Sequence, residues 1–229
     1  MQRISFRLQP GERVVLLGAN GAGKSTLLSL CNGLLRPCHG ELRLGAEPYS
    51  YTRTGLRRQV ATVLQDASDQ LFGATVLQDV AMGPVEAGLA ESDARRSAME
   101  TLDSLGVAHL AQRPIHALSV GEKKRVALAG VLIGSPSVLL LDEPTAGLDA
   151  PGEEALLHTL AARSEQGLTV CIATHDTGLL ERWATRALVL RAGRLAFDGS
   201  APELVRQWQS ATAGCGLREP AGAGERLCR

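Results

Sequence analysis

The stretch Gly18-Ala19-Asn20-Gly21-Ala22-Gly23-Lys24-Ser25-Thr26 constrains this chain more than any other. It fits G-x-x-x-x-G-K-[ST], follows the apolar run Arg13–Leu17 (RVVLL) and opens the helical pattern STLLSLCNGLL. That order of strand, glycine-rich turn and helix is the setting in which the pattern carries chemistry. The glycines let backbone N–H groups turn inward around phosphate oxygens, and the helix N-terminus adds its positive dipole end. Lys24 is then placed to reach β- and γ-phosphates, and the Ser25 hydroxyl to ligate Mg²⁺. A nucleoside triphosphate is the expected ligand.

Around this element, short runs rich in β-branched residues alternate with helical patterns, the signature of an α/β fold with a mostly parallel sheet. Arg13–Leu17, Ser137–Leu141, Leu168–Ala173 and Ala187–Leu190 are apolar throughout, as strands covered on both faces must be. Val60–Leu64 is also strand-like. Ile4–Leu8 and Glu41–Leu44 alternate in period two and predict half-exposed antiparallel strands of an N-terminal β subdomain. From about residue 67 to 133 no strand signal occurs. Glu91–Leu105 predicts a helix with Ala94, Ala98, Met99, Leu102 and Leu105 on one face, and a second helix should follow Ser119. The block reads as an α-helical subdomain inserted into a P-loop NTPase (RecA-like) core. From Ser210 the sequence is rich in Gly and Ala with few large apolar residues, which predicts a poorly ordered tail over 210–229.

Composition narrows the function classes. With 24 Lys+Arg against 24 Asp+Glu, the chain lacks the basic excess of a dedicated nucleic-acid binder. No apolar run approaches the ~18 residues of a membrane span, and the start is neither a signal nor a transit peptide. A membrane role would therefore run through a partner. The 5 cysteines are scattered, without a C-x-x-C pair, and read as reduced thiols of the cytosol.

Further motifs converge on phosphate chemistry. Val138–Leu141 is a buried run ending in Asp142-Glu143, so it should deliver carboxylates to the sheet edge where the phosphate loop lies. Asp142 is the candidate Mg²⁺ ligand, and Glu143 the candidate group that orients or deprotonates the attacking water. His175 ends another apolar run and is placed for the γ-phosphate or Glu143. Gln65 follows Val60–Leu64, where a glutamine can ligate Mg²⁺ or water. Ser119-Val120-Gly121-Glu122 is S-x-x-E, a capping box opening KKRVALAGVL.

In this order the motifs resemble the ATP-binding subunit of ABC transporters: phosphate loop from Gly18, Gln65, LSVGE at Leu118, Asp142-Glu143, Asp149 in PTAGLD, then His175. LQDASDQLFG at Leu64 and DVAMGP at Asp79 look like energy-coupling-factor importers, especially their cobalt and nickel branch. The resemblance implies one ATPase domain over 1–209 and ATP with Mg²⁺ as ligands. Gly18 and Asn20, Gly21, Ala22, Gly23, Lys24, Ser25 and Thr26 would hold the phosphates, with Ser25, Gln65 and Asp142 on Mg²⁺. Glu143 would be the catalytic base, assisted by Lys24, Gln65 and His175. Ser119 and Gly121 would contact the nucleotide of an opposite subunit, and Asp149 would shape that interface. It further implies a homo- or heterodimer held by transmembrane subunits on the cytoplasmic face of the cell membrane, binding no nucleic acid. The alternatives are a vitamin importer of the same type, or a soluble ABC-type ATPase acting on DNA or ribosomes.

One departure stands out. The family usually stacks adenine on an aromatic residue well upstream of the phosphate loop, whereas the 17 residues before Gly18 hold a single aromatic, Phe6, on a strand-like run where it reads as core. Either the chain start is truncated relative to the family or adenine is held without that platform. Aromatic stacking contributes ~1–3 kcal/mol per base, so ATP affinity is expected to be weaker by about tenfold or more. Isothermal titration with ATP and GTP checks this, and low-micromolar binding with a clear preference for ATP would refute it.

Overall fold

The computed structural model describes residues 1–48 and 58–220. Apolar runs alternating between two buried faces build its main sheet. The strands are β1 (Arg13–Leu17), β4 (Val60–Val63), β5 (Val138–Asp142), β6 (Thr169–Thr174), β7 (Arg186–Arg191) and β8 (Arg194–Ser200), in spatial order β4-β5-β6-β1-β7-β8. All neighbours run parallel except β8, which pairs antiparallel with β7. The short strands β2 (Arg43–Leu44) and β3 (Glu47–Pro48) form a separate antiparallel pair.

Alternate residues of the same strands feed different cores. Val15, Leu17, Leu139, Leu141, Val170 and Ile172 join the larger cluster, which the helices cover. Val14, Leu16, Leu140, Cys171 and Ala173 face the other way, onto Leu27 and Leu28 of helix α1 (Lys24–Cys31). With both faces covered, the strands need apolar residues at nearly every position. Burial pushes the Cys31 thiol up to about 12 and the Cys171 thiol higher still, so both stay protonated packing groups.

Between β4 and β5 the described chain is helical, apart from an isolated bridge between Thr75 and Pro114. Its helices are α2 (Val76–Glu86), α3 (Glu91–Ser104) and α4 (Val120–Leu132). Ala94, Ala98, Leu102 and Leu105 are buried, but Met99 is 38% exposed. Five positions beyond Ala94, Met99 lies about 140° around the helix, off the stripe the other residues share. After β5 come α5 (Ala150–Glu165), α6 (Leu179–Arg182) and α7 (Ala201–Arg206).

Ile4–Leu8 keeps its alternation without becoming a strand. Ile4, Phe6 and Leu8 pack against the second core while Ser5 and Arg7 are exposed, yet the segment joins no ladder among the described residues. It is held instead from the sheet: Arg186 Nη1 donates to the Arg7 carbonyl at 2.6 Å, and Gln2 N–H to the Gly193 carbonyl at 2.9 Å. The period-two pattern thus reported packing on a sheet rather than membership of one. In the terminal segment from Ser210, Thr212 and Cys215 are buried, and Arg191 Nη1 donates to the Ala213 carbonyl at 2.6 Å. Residues 221–229, with Cys228, lie outside the described residues.

Candidate active site

Parallel register brings the functional groups to one edge. Leu17 of β1 pairs with Thr174 of β6, Asp142 of β5 with Ala173, and Val63 of β4 with Leu141. The phosphate loop after β1, the acids ending β5, His175 after β6 and Gln65 after β4 therefore leave the sheet at the same level, its carboxyl edge.

The loop has the backbone its glycines predict. Gly21 (φ +78°) and Gly23 (φ +103°) occupy the left-handed region. A Cβ on Gly18 would sit 2.8 Å from the Leu190 carbonyl oxygen, so the loop can start only with glycine. No side chain caps α1, which leaves its first N–H groups to whatever the loop encloses. Ser25 and Thr26 are exposed at the start of α1, and Asn20 is exposed on the loop. Lys24 is buried, its Nζ 2.7 Å from the Gly18 carbonyl oxygen and 3.9 Å from Glu143 Oε1.

Glu143 is the centre of the site. Its carboxylate accepts from Thr174 Oγ1 at 2.8 Å and from the His175 backbone N–H at 3.1 Å, and His175 Nδ1 lies 2.8 Å from Oε1. Its own N–H donates to the Ala173 carbonyl at 2.9 Å. The backbone is in the left-handed region at φ +47°. For a residue other than glycine this costs of order 1–3 kcal/mol and persists only where surrounding bonds impose it. His175 leaves 64% of its side chain exposed beyond that contact, free to meet a ligand.

Asp142 presents a different feature. Its buried carboxylate has no hydrogen-bond or ion-pair partner among the described residues. With Gln65 it lines a cleft of about 730 Å³ that also includes Lys123, Lys124 and Val120. A buried carboxylate without a partner calls for a cation. Asp142, Gln65 and the Ser25 hydroxyl are hard oxygen donors, the set Mg²⁺ prefers. The donor chemistry fits the ion.

Ser119 and Gly121 stand elsewhere. None of the hydrogen bonds and ion pairs among the described residues joins either to the phosphate loop. Ser119 caps α4: its Oγ accepts from Glu122 N–H at 3.3 Å, while Glu122 Oε2 accepts from Ser119 N–H at 2.7 Å. Val120 is the first helical residue, with 59% of its surface exposed. Gly121 lies so close to Leu148 that a Cβ would be 3.2 Å from Leu148 Cδ2. Asp149 caps α5 through Gly152 N–H at 3.1 Å.

Several contacts here gave no sequence signal. Thr174 is the hydroxyl on Glu143, and the buried Lys124 donates into the turn after Glu143. Asp79 Oδ1 accepts the N–H groups of both Phe72 and Gly73 at 2.7 Å, which explains why the DQLFG and DVAMGP runs occur together. Gln70 clasps the end of β4 by accepting from Leu64 N–H at 2.7 Å and donating to the Thr62 carbonyl at 2.9 Å. Each acts across loops, and spacing along the chain does not report such contacts.

The cradle, the acids and the parallel sheet define a P-loop ATPase. The chain matches the ABC transporter family over residues 1–146 and belongs to it. It is 46% identical over 220 residues to the cobalt import ATP-binding protein CbiO of Rhodobacter capsulatus, covering 95% of this chain and 78% of that one. It is 40% identical to the energy-coupling factor transporter ATP-binding protein EcfA of Methanothermobacter thermautotrophicus, covering 90% and 67%. Among solved structures it resembles cbiO1 of Clostridium perfringens, described as part of the ABC transporter complex cbiONQ. That match has TM-score 0.80 at 39% identity and covers 90% of this chain and 86% of the other. The chain is an ATP-hydrolysing member of this family.

The capping box makes a pH-dependent prediction. Glu122 is held below its ordinary 4.5, first by the Ser119 backbone N–H and then by its side chain. A depressed carboxylate stabilises above its unfolded value, and the contribution disappears as pH falls through the folded value. Glu122→Ala should cost about 0.3–1.5 kcal/mol at pH 7. The gap to the parent should narrow below pH 4.5. Urea midpoints at both pH values check it, and a gap constant with pH would contradict it.

Proposed function

We propose that this chain works as one of two ATPase subunits that close around ATP to drive a membrane importer, and that the cargo is a transition-metal ion, cobalt or nickel. The observation that carries the motor reading is the divided site. Cradle, acids and His175 share one sheet edge, while Ser119 and Gly121 stand at a helix start joined to none of them by a hydrogen bond. A second subunit presenting Ser119 and Gly121 to this edge completes a nucleotide sandwich. The choice of metal ion rests on the similarity to the cobalt import ATP-binding protein. The similarity to energy-coupling-factor subunits supports a second reading, a vitamin importer.

The geometry supports the following division of catalytic roles. Glycine N–H groups and Lys24 bind the β- and γ-phosphates. Glu143, oriented by Thr174 and the His175 N–H, positions the attacking water and takes its proton. The exposed His175 ring steadies the γ-phosphate. Asp142, Ser25 and Gln65 would hold Mg²⁺, which when bound offsets charge on the phosphates. Asp149 sets the loop that faces the second subunit.

The membrane contact is assigned to the surface after Gln65. Leu71 is core, but Phe72 is 78% exposed, and Leu64, Met82, Val85 and Leu89 are exposed too. No helix among the described residues is long and apolar enough to cross a membrane. In this reading transmembrane partners hold the chain at the cytoplasmic face.

Two measurements test the proposal. Glu143→Gln should trap an ATP-bound dimer in sedimentation, and a persistent monomer saturated with ATP would refute the sandwich. ATPase activity should rise on reconstitution with co-purifying membrane subunits, together with ATP-dependent uptake of Co²⁺ or Ni²⁺. Uptake of a vitamin instead selects the second reading, and stimulation by nucleic acid would sink both.

A further inference from the structure

Lys124 is a buried cation that the reaction as derived does not use. It sits on α4, one turn past the capped start, and only 7% of it is exposed. Its Nζ donates to the carbonyls of Glu143 at 3.1 Å, Pro144 at 3.0 Å and Ala146 at 2.5 Å. An ammonium has three protons to donate, and these acceptors take all of them.

The charge is held there at a cost. Burial lowers Lys124 from its ordinary 10.5, with the negative charge of Glu143 opposing the shift in part. Between the folded value and 10.5 the unfolded chain binds the extra proton, so this group's contribution to stability rises with pH. A side chain kept for packing alone would be better as methionine. What the cation does locally is fix the peptide that follows Glu143, the residue held at φ +47°.

The same contact joins two surfaces. Alongside Lys124, Gly121 abuts Leu148, and a Cβ on Gly147 would lie 3.7 Å from Val120 Cγ1. The start of α4 and the turn 143–148 are therefore clamped together. We infer that Lys124 is a positioning residue that holds Glu143 in its working orientation and makes that orientation depend on the helix start facing the other subunit's nucleotide. Closure on ATP at one site then reaches the water-activating carboxylate of the other. The inference rests on reading Glu143 as the group that activates water.

The test uses the full chain reconstituted with its membrane partners. Lys124→Met should lower kcat by at least about tenfold while KM for ATP stays within about threefold. In a Glu143→Gln background, where no carboxylate remains to position, the same change should alter the single-turnover rate by less than about twofold. A merely structural lysine would slow both backgrounds equally, and that result overturns the inference. So does a folded Lys124→Met protein with the parent's kcat. If Lys124→Met does not fold, Lys124→Gln, uncharged and one donor short, takes its place: a partial loss of kcat confined to the Glu143 background is expected, and full retention overturns the inference. A parent complex that hydrolyses no ATP would overturn the reading of Glu143 instead.

Discussion

The carboxylate of Glu143 is the point on which the site depends, and its placement is a backbone problem before it is a chemical one. At the end of β5 the chain must leave the sheet, stay buried and aim an acid at the edge where the phosphate loop opens. It does so through a left-handed residue, at a cost of order 1–3 kcal/mol. The bonds that hold this conformation come from outside β5: the Ala173 carbonyl, Thr174 Oγ1 and His175 N–H from the end of β6, and Lys124 from α4. The register of β5 against β6 therefore fixes chemistry as well as fold. A slip of one residue would turn Thr174 to the opposite face and leave the carboxylate unpartnered.

The dependence runs through β6, which lies between β5 and β1. Because β6 pairs with both, the turn after it reaches the phosphate loop on one side and the acids on the other. His175 touches Glu143, which lies 3.9 Å from Lys24 Nζ. Three residues distant in sequence become one cluster because a single strand sets their levels.

How much of this was legible in the sequence follows from the kind of signal each part carries. The central strands were legible because burial on both faces demands unbroken apolar runs, and the phosphate loop because its glycines answer a local backbone requirement. Strand β8 (RLAFDGS) was not, since it alternates partly buried with exposed positions and carries Arg194 and Asp198. Ile4–Leu8 showed the converse, an alternation that is real in burial but makes no ladder. Lys124 was illegible for a different reason. In the run EKKR it looks like its solvated neighbours, and only the folded turn at Glu143 reveals that it is buried.

The start of α4 shows the same coupling at Val120. A valine stands in LSVGE where glycine is the more familiar residue, yet the backbone there is the first turn of a helix, which any L-residue enters without strain. The tighter position is one residue later, at Gly121, where a Cβ would lie 3.2 Å from Leu148 Cδ2 and the leucine would have to give by a few tenths of an ångström. Leu148 belongs to the turn that Lys124 anchors, and that turn begins at Glu143. A side chain added at Gly121 would therefore press on the element that carries the Glu143 carboxylate, whereas the one at Val120 points largely into solvent. Glycine fits best in this segment where the helix start meets the turn, because there the packing of the helix start and the placing of the Glu143 carboxylate are the same problem.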